Sequence, residues 1–192
     1  METKQSIRKE ILTKRNSLSP EEQKYKSRKI RENVMTLSEW KYTKNVLLYL
    51  NYQSEVMTEE LIKSAISEGK NVYLPKVAGN EMEFYRILSI EDTKEGYKGI
   101  WEPKEDDYTK FIWNDTAGCM MILPGCAFTK NGKRIGYGKG FYDRYLAKVP
   151  VKMKIALAYE LQIVPQIPDE DNDIPVNKII TEKHIYAVKQ GE

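Results

Sequence analysis

The sequence contains one histidine, His184, and two cysteines, Cys119 and Cys126, among 192 residues. That supply is too thin for a zinc site built on thiolates and imidazoles. Two cysteines separated by six residues in an apolar stretch are better read as buried, inert thiols than as a disulfide framework. No apolar run approaches the roughly 20 residues needed to span a bilayer, and METKQSIRKEI carries charges where a signal peptide would have its apolar stretch. A cytoplasmic location with no membrane partner is expected. Internal repeats and low-complexity linkers are also lacking, and a net charge of +3 is too small to imply a nucleic-acid partner by itself.

What is present is an ordinary globular composition, with 41% hydrophobic and 31% charged residues and 13 tyrosines. At this length a single domain over residues 1–192 is the first expectation. The charge is unevenly spread. Residues 1–44 hold 12 Lys and Arg against 6 Asp and Glu, whereas the remainder is slightly acidic. Such an N-terminal region either attracts a polyanion or is the solvated face of a helix.

Hydrophobic spacing orders the chain. Ile7, Ile11 and Leu12 recur at helical intervals within 3–17, and Ser19-Pro20-Glu21-Glu22 forms a capping box with proline at the first helical position. Val46 to Leu50 reads as a strand covered on both faces, and Thr58 to Glu68 as a helix closed by Gly69. Val72 to Leu74 reads as a strand stopped by Pro75. Further strands are expected at 82–88, 120–123, 154–159 and 185–188, with a helix at 141–148 and long loops at 91–107 and 165–175. This alternation predicts an α/β fold, a three-layer α/β/α sandwich around a mainly parallel sheet. Ligands of such sheets sit at the carboxyl ends of the strands, where 51–55 and 124–143 fall.

The segment with most chemistry is Gly132 to Asp143, in which Gly136, Gly138 and Gly140 alternate with Arg134, Tyr137 and Lys139. Glycines let backbone N–H groups approach an anion, the cations offset its charge, and the helix that follows adds a positive dipole end. The spacing is neither that of a Walker A loop nor that of the Gly-x-Gly-x-x-Gly fingerprint. Asp143 and the acidic run around Asp169 to Asp173 offer hard oxygen ligands suited to Mg²⁺, although acidic loops are more often simply solvated. Glu55, just beyond a strand, could accept hydrogen bonds from an amino-bearing heterocycle. Trp101 could stack on an aromatic ligand or pack in the core.

Together these features resemble the 5-formyltetrahydrofolate cyclo-ligase family along nearly the whole chain. The resemblance lies in Lys4 and Arg8, in Tyr49-Leu50-Asn51 with Glu55 and Thr58, in Leu74-Pro75-Lys76, and in Trp101-Glu102-Pro103. It continues through Leu123 to Phe128 into Gly132 to Arg144, and ends with Asp173 and Ile179 to Glu182. Met57, Cys119, Thr129 and Asn177 stand where the family often has aspartate. A monomer is expected, and the resemblance implies conversion of 5-formyltetrahydrofolate and MgATP to 5,10-methenyltetrahydrofolate, ADP and phosphate. It implies ATP contacts from Lys4, Gln5, Ser6, Ile7 and Arg8 and from Arg134, Ile135, Gly136, Tyr137, Gly138, Lys139, Gly140, Phe141 and Tyr142. Arg134, Lys139 and Tyr142 would be catalytic, Leu50, Glu55 and Trp101 would bind the folate, and Asp143 and Asp173 would hold the metal. Two rival readings use the same residues. An ATP-independent isomerase or transferase would also want an anion loop, and a nucleic-acid module would use the basic N-terminus with the aromatic and cationic loop.

Overall fold

The computed structural model describes residues 3–96, 99–104, 109–113, 118–168, 170 and 173–188. Helix α1 (Lys4–Asn16) opens on a Thr3/Ser6 capping box. Helix α2 (Pro20–Thr36) opens on the expected one, with Glu22 N–H on Ser19 Oγ at 3.2 Å and Ser19 N–H on Glu22 Oε2 at 2.8 Å. A short α3 (Ser38–Tyr42) follows. Strand β1 (Asn45–Leu47), helix α4 (Glu59–Ser67), and strands β2 (Asn71–Ala78) and β3 (Glu81–Ile87) come next. A small ribbon, β4 (Thr93–Glu95) with β5 (Trp101–Pro103), precedes β6 (Cys119–Leu123). After the hairpin β7 (Ala127–Phe128) and β8 (Arg134–Ile135) come α5 (Phe141–Lys148), β9 (Met153–Leu157), β10 (Lys178–Ile180) and β11 (Ile185–Ala187).

Seven strands form one sheet in the order β11-β10-β9-β6-β1-β2-β3. The five inner strands run parallel, and β3 and β11 lie antiparallel at its edges. Strand alternation divides the core into two. Val46, Leu48, Met120, Ile122, Ile155, Leu157 and Ile180 pack on α2, α3 and α4, while Leu47, Met121, Leu123, Ala156 and Ile179 pack on the α5 side with Tyr145 and Leu146. The expected three-layer architecture is therefore present. Strand order reverses between β1 and β6, which opens a crevice at their carboxyl ends, and α1 lies there with Ile7 and Ile11 packed on Cys126, Ala127 and Ile135.

Three expectations are corrected. Pro75 does not stop β2, which runs on to Ala78. Phe84, opposite Pro75, gives its carbonyl to Phe111 N–H at 2.7 Å and so belongs to a non-hydrogen-bonded pair, and the missing proline N–H costs no ladder bond. β1 ends at Leu47, earlier than expected, because the Tyr49 carbonyl is taken by the Thr58 hydroxyl at 2.6 Å. The loop expected over 91–107 contains a 3₁₀ turn (Ile90–Asp92) and the β4–β5 ribbon. Among the described residues no helix is long and apolar enough to cross a membrane.

Trp40 ties α3 to the turn after α4. Its ring is buried, its Nε1 donates to Glu68 at 3.0 Å, and the Lys70 ammonium lies 5.1 Å over it. Trp40→Ala is expected to lower unfolding free energy by about 3–5 kcal/mol. Urea denaturation monitored by circular dichroism measures this, and a loss under about 1 kcal/mol would show that the cluster does not depend on Trp40.

Candidate active site

The turn after β1 is built by its own side chains. Asn51 N–H donates to Thr58 Oγ1 and Thr58 N–H to Asn51 Oδ1, both at 3.2 Å, so the two residues clamp 51–58 reciprocally. Gln53 has φ 50°, the one non-glycine residue with positive φ among the described residues. This is local strain of the kind found where a loop must deliver a side chain. The residue delivered is Glu55, 6% exposed, whose Oε2 accepts from Tyr52 N–H at 2.8 Å and whose backbone carbonyl accepts from the Tyr159 hydroxyl at 3.1 Å. Burial raises its carboxyl above the usual range, opposed by the Tyr137 hydroxyl, the Tyr52 amide and the charge of Arg15. Leu50, half-buried, packs on the core at the base of this turn.

Across the crevice lies the glycine loop between β8 and α5. Gly138 (φ 91°) and Gly140 (φ 64°) hold left-handed conformations that a side chain would strain, and Gly140 leads directly into the first turn of α5. Arg134 anchors the loop from below. It is 7% exposed, with Nη2 on Asp143 Oδ1 at 2.7 Å, its guanidinium 5.8 Å over the Tyr142 ring, and a buried Nε that lacks a partner. Lys139 projects into solvent, while its carbonyl accepts from Arg144 Nη1 at 2.8 Å. The Tyr137 ring is 43% exposed, yet its hydroxyl is drawn inward. Burial first, and then the Glu55 charge, push the Tyr137 and Tyr142 phenols far above their ordinary range, so both remain neutral.

Helix α1 brings its basic residues to this loop. Arg8 Nε donates to the Gly136 carbonyl at 2.9 Å, and Lys4 pairs with Asp173 and, at 3.1 Å, with Glu170. Burial disfavours the Lys4 ammonium, but hydrogen bonds and charge from Asp173 and Glu170 outweigh it and raise its pKa. Both carboxylates expected to hold metal are thus paired with cations, Asp173 with Lys4 and Asp143 with Arg134. Asp169 and Asp171, also in the acidic run, lie outside the described residues. Ile7 and Ile135 are buried together under the loop, whereas Gln5 and Ser6 face solvent on the first turn of α1. Phe141 begins α5 with the Arg144 guanidinium 5.1 Å over its ring, and Trp101 stands 54% exposed on the β4–β5 ribbon.

Sequence reasoning missed Arg15, the most buried charged residue of the site at 1% exposure. Its Nε donates to Ser54 Oγ at 3.0 Å and its Nη1 to the Tyr137 hydroxyl at 2.8 Å and the Gly125 carbonyl at 3.3 Å. The signal existed, because Ile7, Ile11 and Arg15 follow one another at intervals of four on the inward stripe of α1. Gln162 was missed as well. It is buried, and its amide nitrogen donates to the Gly125 and Cys126 carbonyls at 2.9 and 3.0 Å, fixing the start of the hairpin.

The site therefore combines a cation-flanked glycine loop at a helix start with a buried carboxylate across a sheet crevice, which suits an anion on one side and a polar heterocycle on the other. Residues 1–182 match the 5-formyltetrahydrofolate cyclo-ligase family. The chain is 34% identical to the 5-formyltetrahydrofolate cyclo-ligase of Haemophilus influenzae over 182 residues, covering 92% of this chain and 96% of that one. It is 31% identical to the mouse enzyme of the same name over 189 residues, 93% of each chain. The NMR structure of 5,10-methenyltetrahydrofolate synthetase from Aquifex aeolicus superposes with a TM-score of 0.86 at 37% identity, covering 98% of this chain and 94% of that one. In sequence along almost its full length, and in fold, the chain belongs to the 5-formyltetrahydrofolate cyclo-ligase family.

Proposed function

We propose that the protein cyclises 5-formyltetrahydrofolate to 5,10-methenyltetrahydrofolate with ATP and Mg²⁺, releasing ADP and phosphate. The observation that carries this reading is the Arg8 Nε to Gly136 carbonyl contact at 2.9 Å, which brings the basic N-terminal helix onto the glycine loop. Glu55 lies buried across the crevice, electrostatically coupled to Tyr137 of that loop. A phosphate cradle and a buried carboxylate then share one crevice.

In this reading the amides of Gly136, Gly138 and Gly140, with Arg134, Lys139, Lys4 and Arg8, hold the triphosphate, and Glu55 and Leu50 hold the pterin. Gln5 and Ser6 approach ATP from the first turn of α1. Ile7 and Ile135 act by packing, which fixes helix against loop. Phe141 and Tyr142 wall the cleft, and Trp101 lines the folate side. The formyl oxygen attacks the γ-phosphorus, and the bond to the ADP oxygen breaks. The resulting iminium phosphate is a far better electrophile than the formamide, whose nitrogen donates into its carbonyl. N10 adds to the activated carbon and gives up its proton to solvent, and the C–O bond to phosphate then breaks, releasing inorganic phosphate. No covalent protein nucleophile is required, because phosphoryl transfer is catalysed chiefly by position and charge neutralisation.

Asp143 and Asp173 supply hard oxygen donors and remain 27% and 31% exposed in their ion pairs. Among the described residues no group of three or more potential metal-ligating side chains gathers. Partly exposed carboxylates of this kind fit Mg²⁺ in its usual mode with nucleotides, one or two carboxylates with phosphate oxygens and water. Bound there, the ion supplies charge neutralisation on the phosphates.

Absorbance growth from the methenyl product is expected when 5-formyltetrahydrofolate and MgATP are both present, with ATP turnover appearing only on addition of the folate. No turnover with any formyl-folate sinks the reading. Arg134→Ala is expected to lower kcat by about a hundredfold or more with an unchanged circular dichroism spectrum, and near-normal turnover removes Arg134 from the phosphate site. Burial pushes the Cys126 thiol up to about 11, leaving it protonated and inert at neutral pH. Cys126→Ser is accordingly expected to keep kcat within about twofold, and a loss beyond tenfold would implicate the thiol in the chemistry.

A further inference from the structure

A guanidinium removed from water needs a compensating anion, yet Arg15 makes no direct hydrogen bond to a carboxylate. Its polar contacts go to Ser54, to the Gly125 carbonyl and to the Tyr137 hydroxyl. The compensating charge is Glu55, reached through a phenol. The Tyr137 hydroxyl accepts from Arg15 Nη1 at 2.8 Å and lies within electrostatic reach of the Glu55 carboxylate, whose neighbour Ser54 accepts from Arg15 Nε at 3.0 Å. The buried guanidinium and carboxylate thus meet on the two sides of one phenol oxygen, where low local dielectric strengthens their mutual effect. The three groups come from three segments. Arg15 ends α1, Glu55 ends the turn after β1, and Tyr137 lies among the glycines before α5. The guanidinium carbon also lies 5.6 Å from the Tyr137 ring centroid, so the ring is held by its face as well as by its oxygen.

We propose that Arg15 is a positioning residue which, through the Tyr137 hydroxyl, sets the Glu55 carboxylate and the glycine loop against each other and so governs use of the folate rather than of ATP. This rests on the function proposed above. Arg15 cannot itself be a substrate ligand, since α1, Ser54 and Gly125 enclose it. Its influence on the folate side follows from which group it compensates. Glu55 is faced by Arg15 from α1, by Tyr137 from the glycine loop, by Tyr142 from α5, and by Tyr49, Cys126 and Tyr159 from the sheet side. Arg15 is the one residue among these that carries a positive charge. Losing it lets burial raise the Glu55 pKa further, so the ionised carboxylate is available only at higher pH.

The test compares Arg15→Met, Arg15→Lys and Tyr137→Phe with the wild-type protein. Arg15→Met is expected to raise KM for 5-formyltetrahydrofolate about tenfold, to leave KM for ATP within about twofold, and to move the acid limb of kcat/KM for the folate upward by about one pH unit. Arg15→Lys keeps the charge and is expected to keep the limb within a few tenths of a unit, with part of the KM rise because an ammonium cannot reach Ser54, Gly125 and Tyr137 from the fixed fork of a guanidinium. Tyr137→Phe cuts the bridge without removing the buried cation, and should reproduce the rise in folate KM. The double variant Arg15→Met/Tyr137→Phe should then add little, because both changes act on one link. If Arg15→Met does not fold, Tyr137→Phe and Arg15→Lys carry the test. An unmoved acid limb in folded Arg15→Met, equal changes in both KM values, or a wild-type folate KM in Tyr137→Phe overturns the inference. A wild-type protein that neither binds nor converts 5-formyltetrahydrofolate removes the function itself, whereas an active wild type with unaltered variants removes this inference alone.

Discussion

The site depends on the docking of α1 across the carboxyl edge of the sheet. Ile7 and Ile11 supply the apolar part by packing on Cys126, Ala127 and Ile135, and Arg15, one turn further on, supplies the polar part. Apolar burial holds the helix down with little directional preference, whereas a guanidinium donating to fixed acceptors on Ser54, Gly125 and Tyr137 sets its register. Were the helix shifted by one residue, Arg8 would leave the Gly136 carbonyl and Lys4 would leave Asp173. The basic N-terminal stretch is therefore one wall of the crevice, and its charge is directed inward.

The wall is also partly neutralised from within. Two of the four cations assigned to phosphate have a carboxylate at hand, Lys4 with Asp173 and Glu170, and Arg134 with Asp143. A cleft with unopposed cations would hold any polyanion, and a cleft with unopposed carboxylates would hold any divalent ion. Pairing them favours a ligand that brings both charges together, because only such a ligand can compensate both members of each pair at once. A metal-bound nucleotide has that character.

Much of this was legible in the sequence for definite reasons. The continuous apolar strands, the Ser19 capping box and the helix at 141–148 follow from local periodicity and local hydrogen bonds. Pro75 was misread because a proline's effect depends on which side of the strand its nitrogen faces, and that is set by the partner Phe84 across the ladder. The end of β1 was misread for a similar reason, since the competitor for the Tyr49 carbonyl is Thr58, nine residues along. Within the site, the glycines and Arg134 announced themselves by composition. Arg15 did not, because a basic residue on a basic helix looks like solvated charge until the burial of Ile7 and Ile11 shows which stripe it shares.

The pairing of Lys4 with Asp173 joins positions 169 residues apart, and Arg8 reaches Gly136 across 128. Contacts of such span are slow to form, since most of the loop entropy must be lost before they contribute. The crevice is thus completed late, when both ends of the chain are already folded onto the sheet. A ligand gripping α1 and the glycine loop would act as a clasp, drawing the free energy of binding into the cohesion of the whole domain and resisting the peeling away of its first helix.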